Sequence, residues 1–342
     1  MSIELTAAKC PCCGANIMLD NNLESGFCQY CGSKILVQAA IAFQRVVVEG
    51  TVKTKSADFI IKAGKLVSYN GEDIDVNVPE NVRIIGKEAF KDCSGLKNII
   101  IPDSVTTIED SAFAGCSNLT SLEFPNSITS IGDCAFEGCS SLTSIEFPCS
   151  VTSTGSSAFM ECDNLTSVII PYGVTEISSD TFKYCDNLAN IEIPNSVTTI
   201  DINAFEGCKS LTSIIIPDSV TRIGHFAFRD CVRLKKVTVP GGASYEYNTF
   251  SGCCNVTDVI FSVTSGKVFD ADKKDLREFK KLERVICSDG RELSMPYYWY
   301  PSGSPLFEAS REAYYKTKGL CIHCGGEFRL GRCRKCGRRK DY

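Results

Sequence analysis

Ile101-Pro-Asp-Ser-Val-Thr-Thr-Ile-Glu-Asp-Ser-Ala-Phe-Ala-Gly-Cys-Ser-Asn-Leu-Thr-Ser-Leu-Glu123 is followed at once by a near copy of itself beginning at Phe124-Pro125. The step is 23 residues, and it continues in both directions. Proline falls at Pro79, Pro102, Pro125, Pro148, Pro171, Pro194, Pro217 and Pro240. Phenylalanine keeps the same step from Phe90 to Phe228, and cysteine from Cys93 to Cys231. A fixed period of this length marks a solenoid, in which each unit buries its apolar face only by stacking on its neighbours.

The unit reads I-P-x-S-V-T-x-I-G-x-x-A-F-x-G-C-x-x-L-T-S-I-x. Its end has the form L-x-x-I-x-I, as in Leu119–Leu122–Phe124 and Leu211–Ile214–Ile216. Alternation predicts a strand whose apolar residues point inward and whose intervening residues face out. Proline ends the strand because it lacks the N–H that a ladder needs. Val105 and Ile108, with Val197 and Ile200, are expected on the opposite wall. Ala112–Phe113 and Ala204–Phe205 read as a short turn of helix.

The periodic cysteines, Cys93, Cys116, Cys139, Cys162, Cys185, Cys208 and Cys231, are expected to be small buried hydrophobes in a tight corner. Stacked side chains point the same way, so neighbouring rungs are poorly placed for disulfides. Thr154 stands where other units have isoleucine, and that rung is expected to be the weakest. Phe59–Gly71 departs from the pattern and reads as an N-terminal cap. The last unit is one residue short between Pro240 and Phe250 and reads as a fraying or capping end.

The pattern I-P-x-x-V-T-x-I-x-x-x-A-F-x-x-C-x-x-L resembles the BspA-like class of bacterial leucine-rich repeats, from near Phe59 to Phe261. The resemblance implies a right-handed superhelix of about eight repeats used to bind proteins or host ligands. Many members of that class are surface or secreted adhesins.

Two cysteine clusters disobey the period. The first is Cys10-Pro-Cys-Cys13-Gly14 with Cys28-Gln-Tyr-Cys31-Gly32, and the second is Cys321-Ile-His-Cys324-Gly325 with Cys333-Arg-Lys-Cys336-Gly337. CxxC lets one tight turn present two thiolates to a tetrahedral ion, and the glycine after it closes the turn. The expected ligands of two structural zinc ions are Cys10, Cys13, Cys28 and Cys31 at one end, and Cys321, Cys324, Cys333 and Cys336 at the other. Both segments resemble zinc ribbons.

The expected domains are a zinc ribbon at 1–37, a linker at 38–56, the solenoid with its cap at 57–262, a C-terminal cap or linker at 263–304, and a helix with a second ribbon at 305–342. Within these, Arg45–Val52 reads as a strand, Lys273–Lys281 and Pro305–Lys318 as helices, and Met295–Ser304 as an aromatic docking strap.

Net charge is −5, which gives no global reason to expect nucleic acid. From Arg311 to Tyr342, however, ten Lys/Arg face three Asp/Glu. That basic tail supports an alternative reading as a nucleic-acid-associated adaptor. The N-terminus, MSIELTAAKC, has neither the basic nor the apolar region of a signal peptide, and no apolar run is long enough for a membrane span. A cytoplasmic chain with reduced thiols is the expectation, which disfavours the adhesin alternative.

No catalytic constellation is present in the sequence. There are two histidines, His225 in a repeat loop and His323 inside a knuckle, and no phosphate-binding loop or nucleophile elbow. The leading expectation is therefore a non-enzymatic scaffold for a protein partner. Two outward columns should carry the variable residues. One is Asn98, Ser121, Ser144, Ser167, Asn190, Ser213 and Lys236. The other is Ile100, Glu123, Glu146, Ile169, Glu192, Ile215 and Thr238, of which Glu123, Glu146, Ile169, Glu192 and Ile215 are the candidate binding residues.

Overall fold

The computed structural model describes residues 58–262, 279 and 281–288 with their side chains, and short backbone strands at 5–9, 16–20, 25–27, 34–36, 328–329 and 332–333. The expected linker at 38–56 with its strand, the aromatic strap and the helix at 305–318 lie outside the described residues, as does the helix at 273–281 apart from Phe279 and Lys281. The chain divides into two compact units, 1–181 and 182–342. Each is a β solenoid, and no helix occurs among the described residues.

In the first unit each turn contributes one strand to a front ladder and one to a back ladder. The front strands are Asp75–Asn77, Asn98–Ile100, Ser121–Glu123, Ser144–Glu146 and Ser167–Ile169. They pair in parallel, each with the one a turn away. The back strands Ile84–Ile85, Thr107–Ile108, Ser130–Ile131 and Ser153–Thr154 do the same. Between the ladders the chain folds through hydrogen-bonded turns. Proline opens one of them: the amide of Val105 donates to the carbonyl of Pro102 at 3.1 Å, and Ile128 to Pro125 likewise.

The Ala-Phe segment is not the turn of helix that its composition predicts. Left-handed residues break it on both sides, Ser111 and Gly115 in one unit, Cys134 and Gly138 in the next. A helix cannot propagate through such a backbone. The Phe113 amide instead donates to the carbonyl of Ala135 in the next turn at 2.8 Å, and Phe136 to Ala158 at 2.8 Å. The third side of the solenoid is thus also stitched rung to rung. The serine of S-V-T serves the same end, with Ser104, Ser127 and Ser150 hydroxyls donating to the carbonyls of Val82, Val105 and Ile128.

Periodic side chains form continuous columns inside. Phe90, Phe113, Phe136 and Phe159 stack with centroids 4.9, 5.0 and 5.3 Å apart and nearly parallel planes. The buried cysteines form a second column. Cys116, Cys139 and Cys162 are free thiols that donate to the carbonyls of Phe90, Phe113 and Phe136. The cysteine therefore fills a corner and gives a second hydrogen bond to a phenylalanine carbonyl that already accepts an amide within its own turn.

The off-pattern start is a hairpin. Phe59–Lys62 pairs antiparallel with Lys65–Tyr69, whose residues Lys65 and Leu66 lie parallel to Ile84–Ile85. Its Phe59 and Tyr69 rings start the aromatic column, with Tyr69 5.2 Å from Phe90. At the other extreme, Ser153–Thr154 is the last paired strand of this unit's back ladder; Glu176–Ile177 does not pair with it. In earlier turns the carbonyls of Ile108 and Ile131 accept from the Gly132 and Gly155 amides, whereas the Thr154 carbonyl accepts from the Ser178 hydroxyl at 2.7 Å. The break coincides with the one threonine in the isoleucine slot.

The second unit repeats this plan. Ser213–Ile215, Lys236–Pro240, Asp258–Ser262 and Arg284–Cys287 form a parallel front ladder. Thr199–Ile200, Arg222–Ile223 and Ser244–Tyr245 form the back ladder. The unit that is one residue short does not fray. Ser244–Tyr245 stays in register, and Phe250 stacks on Phe228 at 5.2 Å. Cys253 extends the thiol column, donating to the Phe228 carbonyl at 3.0 Å. Arg284–Cys287 adds a further rung inside the segment expected to be a cap, with Leu282, Val285 and Cys287 buried in the places of L-x-x-I-x-I.

Candidate partner-binding face

The strand segments position the candidate residues. In each front strand of three residues the middle one is inside: Val76, Ile99, Leu122, Ile145 and Val168 are all buried. The first and third therefore face outward, as the alternation predicts. Two columns result, each running across the strands.

In the first unit the first column is Asp75, Asn98, Ser121, Ser144 and Ser167. It is short and polar, and partly tied together. The Asn98 amide donates to Asp75 at 2.6 Å, and the Ser121 hydroxyl to Asn98 at 3.3 Å. The second column follows from the pairing register: Asn77 opposite Ile100, Ile100 opposite Glu123, Glu123 opposite Glu146, Glu146 opposite Ile169. Ile100 is 65% exposed and Ile169 38%. Neighbouring strands lie about 4.8 Å apart, so the two glutamates stand close with like charge. Partial desolvation, and then the charge of Glu123, raise the carboxyl of Glu146 above its ordinary range. Among the described residues no ion pair involves Glu123 or Glu146.

In the second unit Asn190–Glu192 carries Asn190 exposed and Glu192 partly covered. The first column then runs Ser213, Lys236, Asp258 and Arg284, with the Arg284 guanidinium donating to Asp258. The second runs Ile215, Thr238, Ile260 and Ile286, and Ile215 is 69% exposed. Sequence reading found Ile215 and Thr238 but missed Ile260 and Ile286. The signal was there in Asp258-Val-Ile-Phe and Arg284-Val-Ile-Cys, but these strands lie beyond the last periodic proline.

The zinc candidates Cys10, Cys13, Cys28, Cys31, Cys321, Cys324 and Cys336 lie outside the described residues. Cys333 belongs to a backbone strand, Arg332–Cys333, paired antiparallel with Phe328–Arg329. Leu5–Lys9 pairs antiparallel with Asn16–Asp20, and Ser25–Phe27 with Lys34–Leu36, so each CxxC of the first cluster falls in sequence between the two strands of a hairpin. Among the described residues no three His, Cys, Asp or Glu gather where a metal could sit.

The ladder thiols are poor nucleophiles. Burial raises Cys116 and Cys208 far above the usual thiol range and Cys139 to about 12. A reactive cysteine needs the opposite shift. His225 packs against Phe226 and Tyr247, with centroids 4.0 and 5.7 Å away. No helix among the described residues is long and apolar enough to cross a membrane.

The sequence pattern of the BspA type leucine-rich repeat region, in six copies, matches residues 69–189 and 175–280. The crystal structure of a T. pallidum leucine-rich repeat protein is similar at 31% identity, over 53% of this chain and 90% of that one, with a TM-score of 0.51. A leucine-rich cell surface protein from Faecalibacterium prausnitzii is similar at 26% identity, over 72% of this chain and 74% of that one, with a TM-score of 0.52. No curated protein matches the chain.

Proposed function

Because the chain belongs to the family of BspA-type leucine-rich repeats, we propose that it is a non-enzymatic scaffold binding a protein partner through the outward columns of its front ladders. The residues that carry the contact are Glu123, Glu146, Ile169, Glu192 and Ile215. One observation supports this above the rest: in the first unit Glu123 and Glu146, which make no ion pair among the described residues, share an outward column with the exposed Ile100 and Ile169. Mixed charged and apolar surfaces of this kind suit protein interfaces. The triple reversal E123K/E146K/E192K should abolish capture of the partner that wild type retains. Unchanged capture would rule the face out.

The ends are read as zinc ribbons with four cysteine ligands each. The support is the spacing of the CxxC pairs, the two antiparallel hairpins whose strands flank the first cluster's pairs in sequence, and the antiparallel hairpin that joins the two pairs of the second cluster. Purified protein should carry two zinc ions per chain by mass spectrometry of the metal. Chelation should unfold the ends and leave the stacked rungs folded. A zinc content near zero after expression with added zinc rejects this reading.

A cytoplasmic setting is supported by eleven free thiols among the described residues. A second reading, a surface adhesin, is favoured by two observations: the similarity to a cell surface protein, and Cys149, which is disulfide-bonded. Fractionation of native cells separates the two.

A further inference from the structure

From the outward column of the first unit we infer that the partner presents an extended segment with an arginine flanked, two residues away on each side, by aliphatic side chains. The inference rests on the scaffold reading above and specifies what that face receives.

The column Ile100, Glu123, Glu146, Ile169 has three properties. Its two acids are neighbours in register. Like charges opposite one another weaken a sheet. The repeat does not demand them, because the same position is neutral at Asn77, Ile100 and Ile169. The acids are also unpaired with any cation among the described residues, while Lys65, Lys183, Lys209, Arg222 and Arg284 all hold carboxylates elsewhere. Finally, one rung beyond each acid stands an isoleucine exposed to solvent. Beside them the first column offers only Asn98, Ser121, Ser144 and Ser167, which are too short to cover the second.

The spacing selects the occupant. Three rungs separate Ile100 from Ile169, about 14 Å. In an extended chain, side chains on one face recur every two residues, about 6.8 Å, so positions i and i+4 also lie about 14 Å apart. Laid across the rungs, such a segment puts i over Ile100, i+4 over Ile169 and i+2 midway between Glu123 and Glu146. A guanidinium at i+2 has five N–H donors in a planar fork and can donate to both carboxylates at once. An ammonium is a compact point charge, more strongly hydrated, and serves two acceptors on opposite sides less well.

The test uses the full-length chain and two synthetic peptides, Gly-Ser-Ile-Thr-Arg-Thr-Ile-Ser-Gly and its citrulline analogue, which keeps the shape of arginine but not its charge. Fluorescence polarisation at 50 mM salt should show the arginine peptide binding about tenfold or more tighter than the citrulline peptide, as expected for charge-assisted bonds. E123Q/E146Q should erase that preference, and I100S/I169S should weaken both peptides. Neither substitution touches a buried position, and urea unfolding of each variant checks the fold. If both peptides bind alike and lose affinity only with I100S/I169S, the arginine assignment is overturned while the face remains a binding site. If the arginine peptide does not bind, or binds E123Q/E146Q as well as wild type, the inference is overturned, and the charge-reversal experiment on the native partner still judges the scaffold reading separately.

Discussion

The buried thiol column makes the protein sensitive to alkali in a calculable way. In the folded chain Cys116, Cys139 and Cys208 stay protonated well above their ordinary value of 9.0, first because burial disfavours the thiolate. In the unfolded chain they titrate near that ordinary value. Their raised folded pKa means the native state holds more protons, so stability is intact below pH 9 and falls as pH climbs towards the folded values. Each such group removes about 1.4 kcal/mol per pH unit once the unfolded thiol is ionised. Between pH 8 and pH 10 the loss is about 1.4 kcal/mol per thiol, and about 4 kcal/mol for the three. That is a large share of a typical domain stability of about 5–15 kcal/mol.

Urea unfolding followed by circular dichroism at half-unit steps from pH 8 to pH 10 measures this directly. The buried tyrosines do not confuse the window. Tyr69 is raised from 10.0 to about 12, mainly by burial, and Tyr245 is also raised from 10.0, so each begins to cost stability only at the top of the window, about 0.4 kcal/mol at pH 10, and does so equally in wild type and control. The control is C116A/C139A/C208A. It starts less stable because it lacks buried sulfur, but it should lose clearly less stability across the window than wild type, since the raised thiols Cys93, Cys134 and Cys231 remain while the other three are gone, and the difference in slope is what is read. A wild-type midpoint that stays flat, or a triple variant that falls in parallel with wild type, refutes the account of the column. So does alkylation of Cys139 by iodoacetamide at pH 8 at the rate of a free peptide thiol.

Two further perturbations probe the stacking. Phe136→Ala removes a fully buried ring held between Phe113 and Phe159 at 5.0 and 5.3 Å. It should cost about 3–5 kcal/mol in urea unfolding; a cost below about 1 kcal/mol would mean the aromatic column is not a structural spine. Thr154→Ile restores the apolar residue that the other back strands carry, at a position only 7% exposed. It should raise stability by about 1 kcal/mol by burying added methyl surface, and a fall in melting temperature would show that the slot is shaped for threonine.

The solenoid was legible because its period repeats the same physical demands. The prolines open turns, the phenylalanines stack, and Cys116, Cys139, Cys162, Cys208 and Cys231 each donate to a carbonyl one turn back, so unit after unit restates the plan. The Ala-Phe segment was misread because composition carries no sign of backbone handedness. Alanine beside phenylalanine favours helix locally, and only the left-handed Ser111 and Gly115 on either side forbid it. The last rung was missed for a related reason. Arg284–Cys287 keeps the inward apolar residues but has lost the proline, the phenylalanine-cysteine spacing and the 23-residue step, leaving only the pairing with Asp258–Phe261 to reveal it.

The candidate face was legible in place but not in content. Alternation says which residues point outward, and it says so for every rung alike. Structural positions are those the repeat keeps constant; at outward positions packing demands little, so the residue there is free to serve another molecule. From Asn98 to Ser167 the first column hardly varies, and Asp75, Asn98 and Ser121 are bonded along it. The second varies from Asn77 through Ile100 and Glu123–Glu146 to Ile169. Only the register turns that variation into a surface, by setting two acids side by side and an exposed isoleucine one rung beyond each. Recognition by this chain therefore rests on the order of residues across strands, between positions 23 apart in sequence, and a substitution that preserved composition but exchanged Ile100 with Glu123 should leave the fold intact and destroy the match to an arginine-centred segment.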